Sequence, residues 1–168
     1  SLPARLREDR HFKVFYSDIM PAKVVLIGLN PGGDPNNPDE LKSASLFFEN
    51  GEHDYVDCDY VLARKMRVLL DRSGIGSSRD AIGRIPKINV VFHRSKSRID
   101  NAGWTWPEAV AASKPFVAEI LGHVKPALVI SEGLESLDLL LEQQGWALRS
   151  IDIVLPGRIK VVTVEGMP

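Results

Sequence analysis

A single cysteine, Cys58, stands among 168 residues. It excludes an internal disulfide, a cysteine-rich zinc site and a Cys-ligated iron–sulfur cluster. Long apolar runs are missing too: none approaches a membrane span, and no Lys/Arg-led apolar segment opens the sequence. The expected compartment is the cytoplasm, with no membrane partner. Charge of one sign is also lacking, since 21 basic and 22 acidic residues give −1. That total excludes a surface basic all over but conceals two blocks of opposite sign. Residues 31–60 hold one basic and eight acidic residues, net −7, whereas residues 61–100 hold ten basic and three acidic, net +7. A polyanion partner therefore stays compatible with the sequence.

What is present reads as one globular domain over residues 1–168, with 44% apolar and 26% charged residues. Four short β-branched runs recur: Lys23–Gly28, Lys87–Phe92, Ala127–Ile130 and Ile159–Val164. Runs apolar on both faces are expected to be central strands of a parallel sheet covered on both sides. Between them Leu62, Met66, Leu69 and Leu70 fall at helical spacing, and Gly74 and Gly76 are expected to end that helix. Thr105-Trp-Pro-Glu108 is a capping-box signature, with Val110, Val117, Ile120 and Leu121 along one face up to Gly122. Leu134, Leu137, Leu140 and Leu141 repeat the pattern before Gly145. The expected fold is a three-layer α/β/α domain around a central four-stranded, mainly parallel sheet. Pro31 to about Asp59, rich in Pro, Asn, Gly and acid, is expected to be irregular.

Ligands of open α/β sheets bind beyond the carboxyl ends of the strands. After the first strand comes Gly28-Leu-Asn-Pro-Gly-Gly-Asp-Pro35. Glycine permits close approach of a ligand and proline fixes the turn, so Asn30 projects from a rigid base where it can orient a water. Asn-Pro-Gly is equally a good turn sequence. The Lys-Ser/Thr of a P-loop and the spacing of a dinucleotide fingerprint are both missing. Asn89 lies inside an apolar strand, where a carboxamide needs its donors and acceptors met. It either bonds a neighbouring loop or reads the edge of a bound base. Beyond it, His93, Arg94, Ser95, Lys96 and Arg98 supply cations and a hydroxyl for phosphates, or form a solvated basic loop.

These residues resemble a family. Val25-Leu-Ile-Gly-Leu-Asn-Pro-Gly32 is similar to the first motif of the uracil-DNA glycosylase superfamily, in its mismatch-specific and single-strand-selective branches. Ile88-Asn-Val-Val-Phe-His-Arg94 resembles the strand carrying that superfamily's base-recognition Asn. Trp106-Pro-Glu108 through Lys114-Pro115, then Lys125–Gly133, resembles its following helix and strand, so the likeness runs from about Val24 to Gly133. It implies that Asn30 positions the hydrolytic water and Asn89 hydrogen-bonds the extruded pyrimidine. Gly28, Leu29, Pro31 and Gly32 would line the substrate, and Phe47 or Phe48 would stack on the base or be plain core. Asp34 is either a base or a turn-former. Members with an iron–sulfur cluster carry cysteines where His93 and Ser113 stand here, so no metal or cofactor is expected. The family's His-Pro-Ser-like motif follows the last strand; none of His11, His53, His93 or His123 takes that place. The expectation is that the domain is truncated after Pro168, or that this member lacks the element.

The resemblance implies hydrolysis of the N-glycosidic bond of uracil or a related damaged base in single-stranded or mismatched DNA, near the nucleoid. The target must be flipped out or already unpaired. Two other readings stay open: a non-catalytic nucleic-acid or nucleobase-binding member, and an α/β enzyme acting on a small molecule. Ser131 and Gly133 lack the spacing of a nucleophile elbow.

Overall fold

The apolar run after Lys23 becomes strand β1, Val24–Gly28, the middle of a three-stranded parallel sheet of order β2-β1-β3. The computed structural model describes residues 16–32, 53–76, 78–94, 105–155 and 159–165. Strand β2, Lys87–Asn89, pairs with β1 so that Leu26 faces Lys87 and Gly28 faces Asn89. On the other side lies β3, Leu128–Ser131, with Leu26 opposite Ile130 and Ile27 opposite Ser131. The mixed α/β class expected from the sequence is present.

Helices fill the connections. The path from β1 to β2 carries α1 (Asp54–Asp57), α2 (Val61–Arg72) and α3 (Arg79–Gly83). Helix α4, Trp106–Val124, joins β2 to β3, and α5, Leu134–Gln144, follows β3. Successive residues of a strand point to opposite faces of the sheet. Val25 and Ile27 accordingly join one buried cluster with Val117, Ile120 and Leu121 of α4 and Leu140 of α5. Leu26 joins a second, with Tyr55 of α1 and Ala63, Met66 and Leu70 of α2. Burial on both sides is why the run is unbroken Val-Val-Leu-Ile, each such side chain contributing about 1.5–3 kcal/mol.

The helical patterns are met with local adjustments. In α2 the buried stripe is Ala63, Met66 and Leu70, while Leu62 is 40% exposed. Leu62 stands one residue, about 100° of helix, off that stripe. Gly74 follows the end of α2 with φ of 71°, a conformation that glycine adopts without a Cβ penalty. At the start of α4 the Thr105 hydroxyl accepts from the Glu108 amide, and the Glu108 carboxylate accepts from the Thr105 amide at 2.8 Å. This helix passes through Gly122 to Val124 and closes on Lys125 at φ 50°.

The fourth run behaves differently from expectation. It forms β5, Ile159–Glu165, paired antiparallel with β4, Ala147–Leu155, in a two-stranded sheet of its own. Only three residues separate β4 from β5, too few for the crossover that a parallel partner requires. Among the described residues the parallel sheet therefore has three strands, not four. The β2 run is also shorter than Lys87–Phe92, because β2 ends at Asn89. Val90, Val91 and Phe92 nevertheless stay buried beside the end of β1. The Val90 and Val91 amides donate to the carbonyls of Gly28 and Leu29, each at 2.9 Å. Buried Ser113 of α4 accepts from the Phe92 amide at 3.0 Å, and buried Gln143 of α5 donates to the Val90 carbonyl at 3.2 Å. No described helix is long and apolar enough to cross a membrane.

Candidate functional site

The described helices that follow β1 in the chain, α1 and α2, pack on one face of the sheet, and α5 after β3 packs on the opposite face. Loops that leave neighbouring parallel strands in opposite directions open a crevice at the carboxyl ends of those strands. Three residues meet there in one row. Gly28 is paired with Asn89, and the Glu132 amide, one residue past β3, donates to the Ile27 carbonyl at 2.8 Å. Residues in one row of a parallel sheet point to the same face, and here the central one has no side chain. Asn89 and Glu132 lean together over it. A Cβ on Gly28 would overlap Asn89 Oδ1 and stand 2.8 Å from Glu132 Oε2. Only glycine leaves that space.

Aromatic hydroxyls and one ion pair surround the row. The Tyr55 hydroxyl donates to Glu132 Oε1, and the Tyr60 hydroxyl donates to Asp54 Oδ2. Lys87, two rows below Asn89 and on the same face, is 3% exposed, with its ammonium 3.4 Å from Asp54 Oδ2. That ammonium also sits 4.0 Å from the Tyr16 ring centroid and 4.7 Å from that of Tyr55. A buried cation held by a carboxylate and two ring faces fixes all three partners. Burial, followed by the negative charge of Glu132, pushes the Tyr55 phenol far above its ordinary range. Tyr60 is raised by burial and then by its bond to Asp54. Tyr16 is raised by burial and Asp54, against which Arg94 and a side-chain hydrogen bond with Asn89 act. All three phenols are therefore neutral donors at physiological pH.

Helix α1 delivers Asp54 and Tyr55, and His53 holds its start. The Tyr55 amide donates to His53 Nδ1 at 3.1 Å, while Nε2 lies 2.8 Å from the Ile85 carbonyl. Nδ1 accepts, so the proton sits on Nε2 and donates to Ile85. Burial, then the Lys87 charge, lowers the His53 pKa from 6.5 against the pull of Ile85, Asp54 and Asp57.

The turn after β1 lies against the chain leaving β2. Asn30 is half-buried, and its Nδ2 donates to the Pro31 carbonyl at 3.1 Å. Pro31 is buried and Leu29 packs on the core, while Gly32 is exposed. Arg94 donates to the Gly32 carbonyl at 3.1 Å, tying the segment beyond β2 to the Asn-Pro-Gly turn. The fold thus gathers Gly28, Leu29, Asn30, Pro31, Gly32, Asn89 and Arg94 at one end of the sheet. His93, expected among the phosphate-facing residues, is 1% exposed. Asp34, Phe47, Phe48, Ser95, Lys96 and Arg98 lie outside the described residues.

Charge is arranged differently from the block arithmetic. Acids of the −7 stretch pair with bases of the +7 stretch: Asp59 with Arg64 at 3.0 Å and Arg67 at 2.7 Å, and Asp57 with Arg79 at 3.0 Å. With Lys87 on Asp54, four of the ten bases of that stretch are paired in this way. An open groove of about 550 Å³ between the start of α4 and α5, lined by Trp106, Leu134, Leu139, Glu135, Asp138 and Glu142, carries three acids that oppose a phosphate backbone. Among the described residues no group of three or more His, Cys, Asp or Glu is placed to hold a metal ion.

Sequence reasoning missed Tyr16, Asp54, Tyr55, Tyr60, Lys87 and Glu132. Glu132 had a signal, since it follows the third apolar run where the strand-end rule points. Lys87 had another, a lysine two residues before Asn89 and hence on the same face. The others reach the site by folding of a stretch with no periodic pattern. No protein-family model matches the chain, and a search of curated proteins finds no match.

Proposed function

We propose that the chain is a DNA glycosylase-like protein, hydrolysing the N-glycosidic bond of uracil or a related damaged base, in a three-layer α/β/α domain of the uracil-DNA glycosylase type. One observation carries this reading: the buried carboxamide of Asn89 lies across Gly28 at the strand ends, beside the turn that bears Asn30. A carboxamide fixed there offers both a donor and an acceptor to a base edge. Two hydrophobic clusters on opposite faces of the sheet support the layered fold.

In the proposed reaction a water oxygen bonds to the sugar carbon C1′ as the C1′–N bond breaks. The bond pair leaves with the base, and the water's proton passes to solvent. Asn30 orients the water and Asn89 reads the base; Asn30 acts by position, because a carboxamide does not titrate near neutrality. Arg94, which donates to the Gly32 carbonyl, supplies a cation beside that turn for a DNA phosphate. DNA is the proposed macromolecular partner.

A second reading has its own support. Asn30 gives an amide hydrogen to its own turn, an arrangement suited to a member that binds a base without cleaving it. Single-stranded and duplex oligonucleotides carrying uracil or other damaged bases separate the two. The glycosylase reading expects abasic product, with Asn30→Ala slower by about a hundredfold. Equal product from Asn30→Ala, or none from any strand, overturns it; base binding without product establishes the second reading.

A further inference from the structure

We propose that the row Asn89, Gly28, Glu132 selects a nucleobase edge that carries N–H or NH2 donors, an amino-substituted ring in preference to uracil. The proposal rests on the reading that this crevice receives a nucleobase, and between uracil and a related base it favours the second.

The register brings two acceptor oxygens to one point. Asn89 Oδ1 and Glu132 Oε2 both lie within van der Waals contact of the position where Gly28 would carry a Cβ. Asn89 is 2% exposed, so its amide is held by its surroundings. The amide oxygen, Oδ1, is the atom that faces Gly28. Glu132 is a carboxylate, which accepts and never donates when ionised. Its Oε1 receives the Tyr55 hydroxyl, and Tyr55 is itself pinned by Lys87 over its ring and by its place in capped helix α1. Oε2 is the oxygen turned to Gly28. Glu132 is half-buried, so the row is reached from solvent at this end.

An incoming ring therefore meets two acceptors. The pairing edge of uracil presents carbonyl, N–H, carbonyl, which sets an oxygen against the carboxylate and leaves both unsatisfied after desolvation. Replacing one carbonyl by an amino group turns that opposition into a hydrogen bond. Cytosine gains the amino group but loses the N3 hydrogen, whereas the N3–H tautomer of isocytosine sets an amino group beside that N–H, one donor for each acceptor, on a ring of the same size.

The test is titration of the intact chain with uracil, cytosine and isocytosine, followed by NMR, for the wild type and Glu132→Gln. At least one amino ring is expected to bind the wild type about tenfold more tightly than uracil, one hydrogen bond's difference. Glu132→Gln, whose amide turns a donor toward a carbonyl, is expected to erase that preference. Uracil binding as tightly as both amino rings, or a preference that survives Glu132→Gln, overturns the selection while leaving the base-binding reading intact. Absence of binding by all three rings overturns both. Should Glu132→Gln fail to fold, the wild-type ranking alone decides.

Discussion

At Gly28 two kinds of necessity coincide. It pairs with Asn89 in the sheet, and its missing Cβ leaves the space that Asn89 and Glu132 reach into. Gly28→Ala puts a methyl group into both side chains. We expect a loss of about 1–3 kcal/mol in urea unfolding, the usual result of overpacking, together with loss of nucleobase binding. Unchanged stability would mean that the two side chains do not lie over Gly28. His53 is a second residue whose role is physical before it is chemical. Its Nδ1 accepts the Tyr55 amide, so a proton there removes the cap of α1. The folded pKa lies below 6.5, so the unfolded chain takes up the proton first as pH falls. The neutral-His contribution is whole above about pH 6.5 and is lost as pH falls through the unfolded value, levelling below the folded one. Urea midpoints measured between pH 8 and 5, about the span of histidine titration, should decline toward acid. His53→Asn, a good cap that does not titrate, should flatten that part of the slope.

Elements differ in how openly they declare themselves. Strand β1 and helix α4 are legible because their signals are local: an unbroken apolar run, and a capping box followed by an apolar stripe. Helix α4 continues past Gly122 to Val124, since propensity penalises glycine by only about 1 kcal/mol and the packing of Leu121 and Val124 outweighs it. Gly122 is exposed, and a Cβ there meets nothing within 4 Å. Gly122→Ala should therefore stabilise the fold by about 0.5–1 kcal/mol, read as a higher urea midpoint with unchanged slope. A lower midpoint would place that residue against a neighbour. Strand β5 illustrates the opposite case. Its sequence reads as a buried strand, but its partner is chosen by the short link to β4, and β4 itself escaped notice although Ile151, Ile153 and Leu155 alternate in sequence. Helix α1 spans four residues, too short to announce itself by periodicity, yet it carries Asp54 and Tyr55 to the site.

For the whole molecule, the −1 net charge conceals a fold in which opposite blocks meet. Asp54, Asp57 and Asp59 take Lys87, Arg79, Arg64 and Arg67 as partners. Asn30 and Asn89 were legible as a pair because each follows or ends an apolar run, and the strand-end rule converts that into shared position. Glu132 and the tyrosines were not, because their convergence depends on which strands neighbour β1 and on how 53–60 folds back over it. The central claim is that a nucleobase is read by Asn89 across Gly28. It is tested most directly by following the Asn89 side-chain amide in ¹⁵N–¹H NMR spectra as a free nucleobase is added. The account predicts that this resonance pair shifts with the same saturation as the Gly28 and Glu132 backbone amides. Saturable shifts confined to the groove at Trp106 and α5, with Asn89 unmoved, would contradict it.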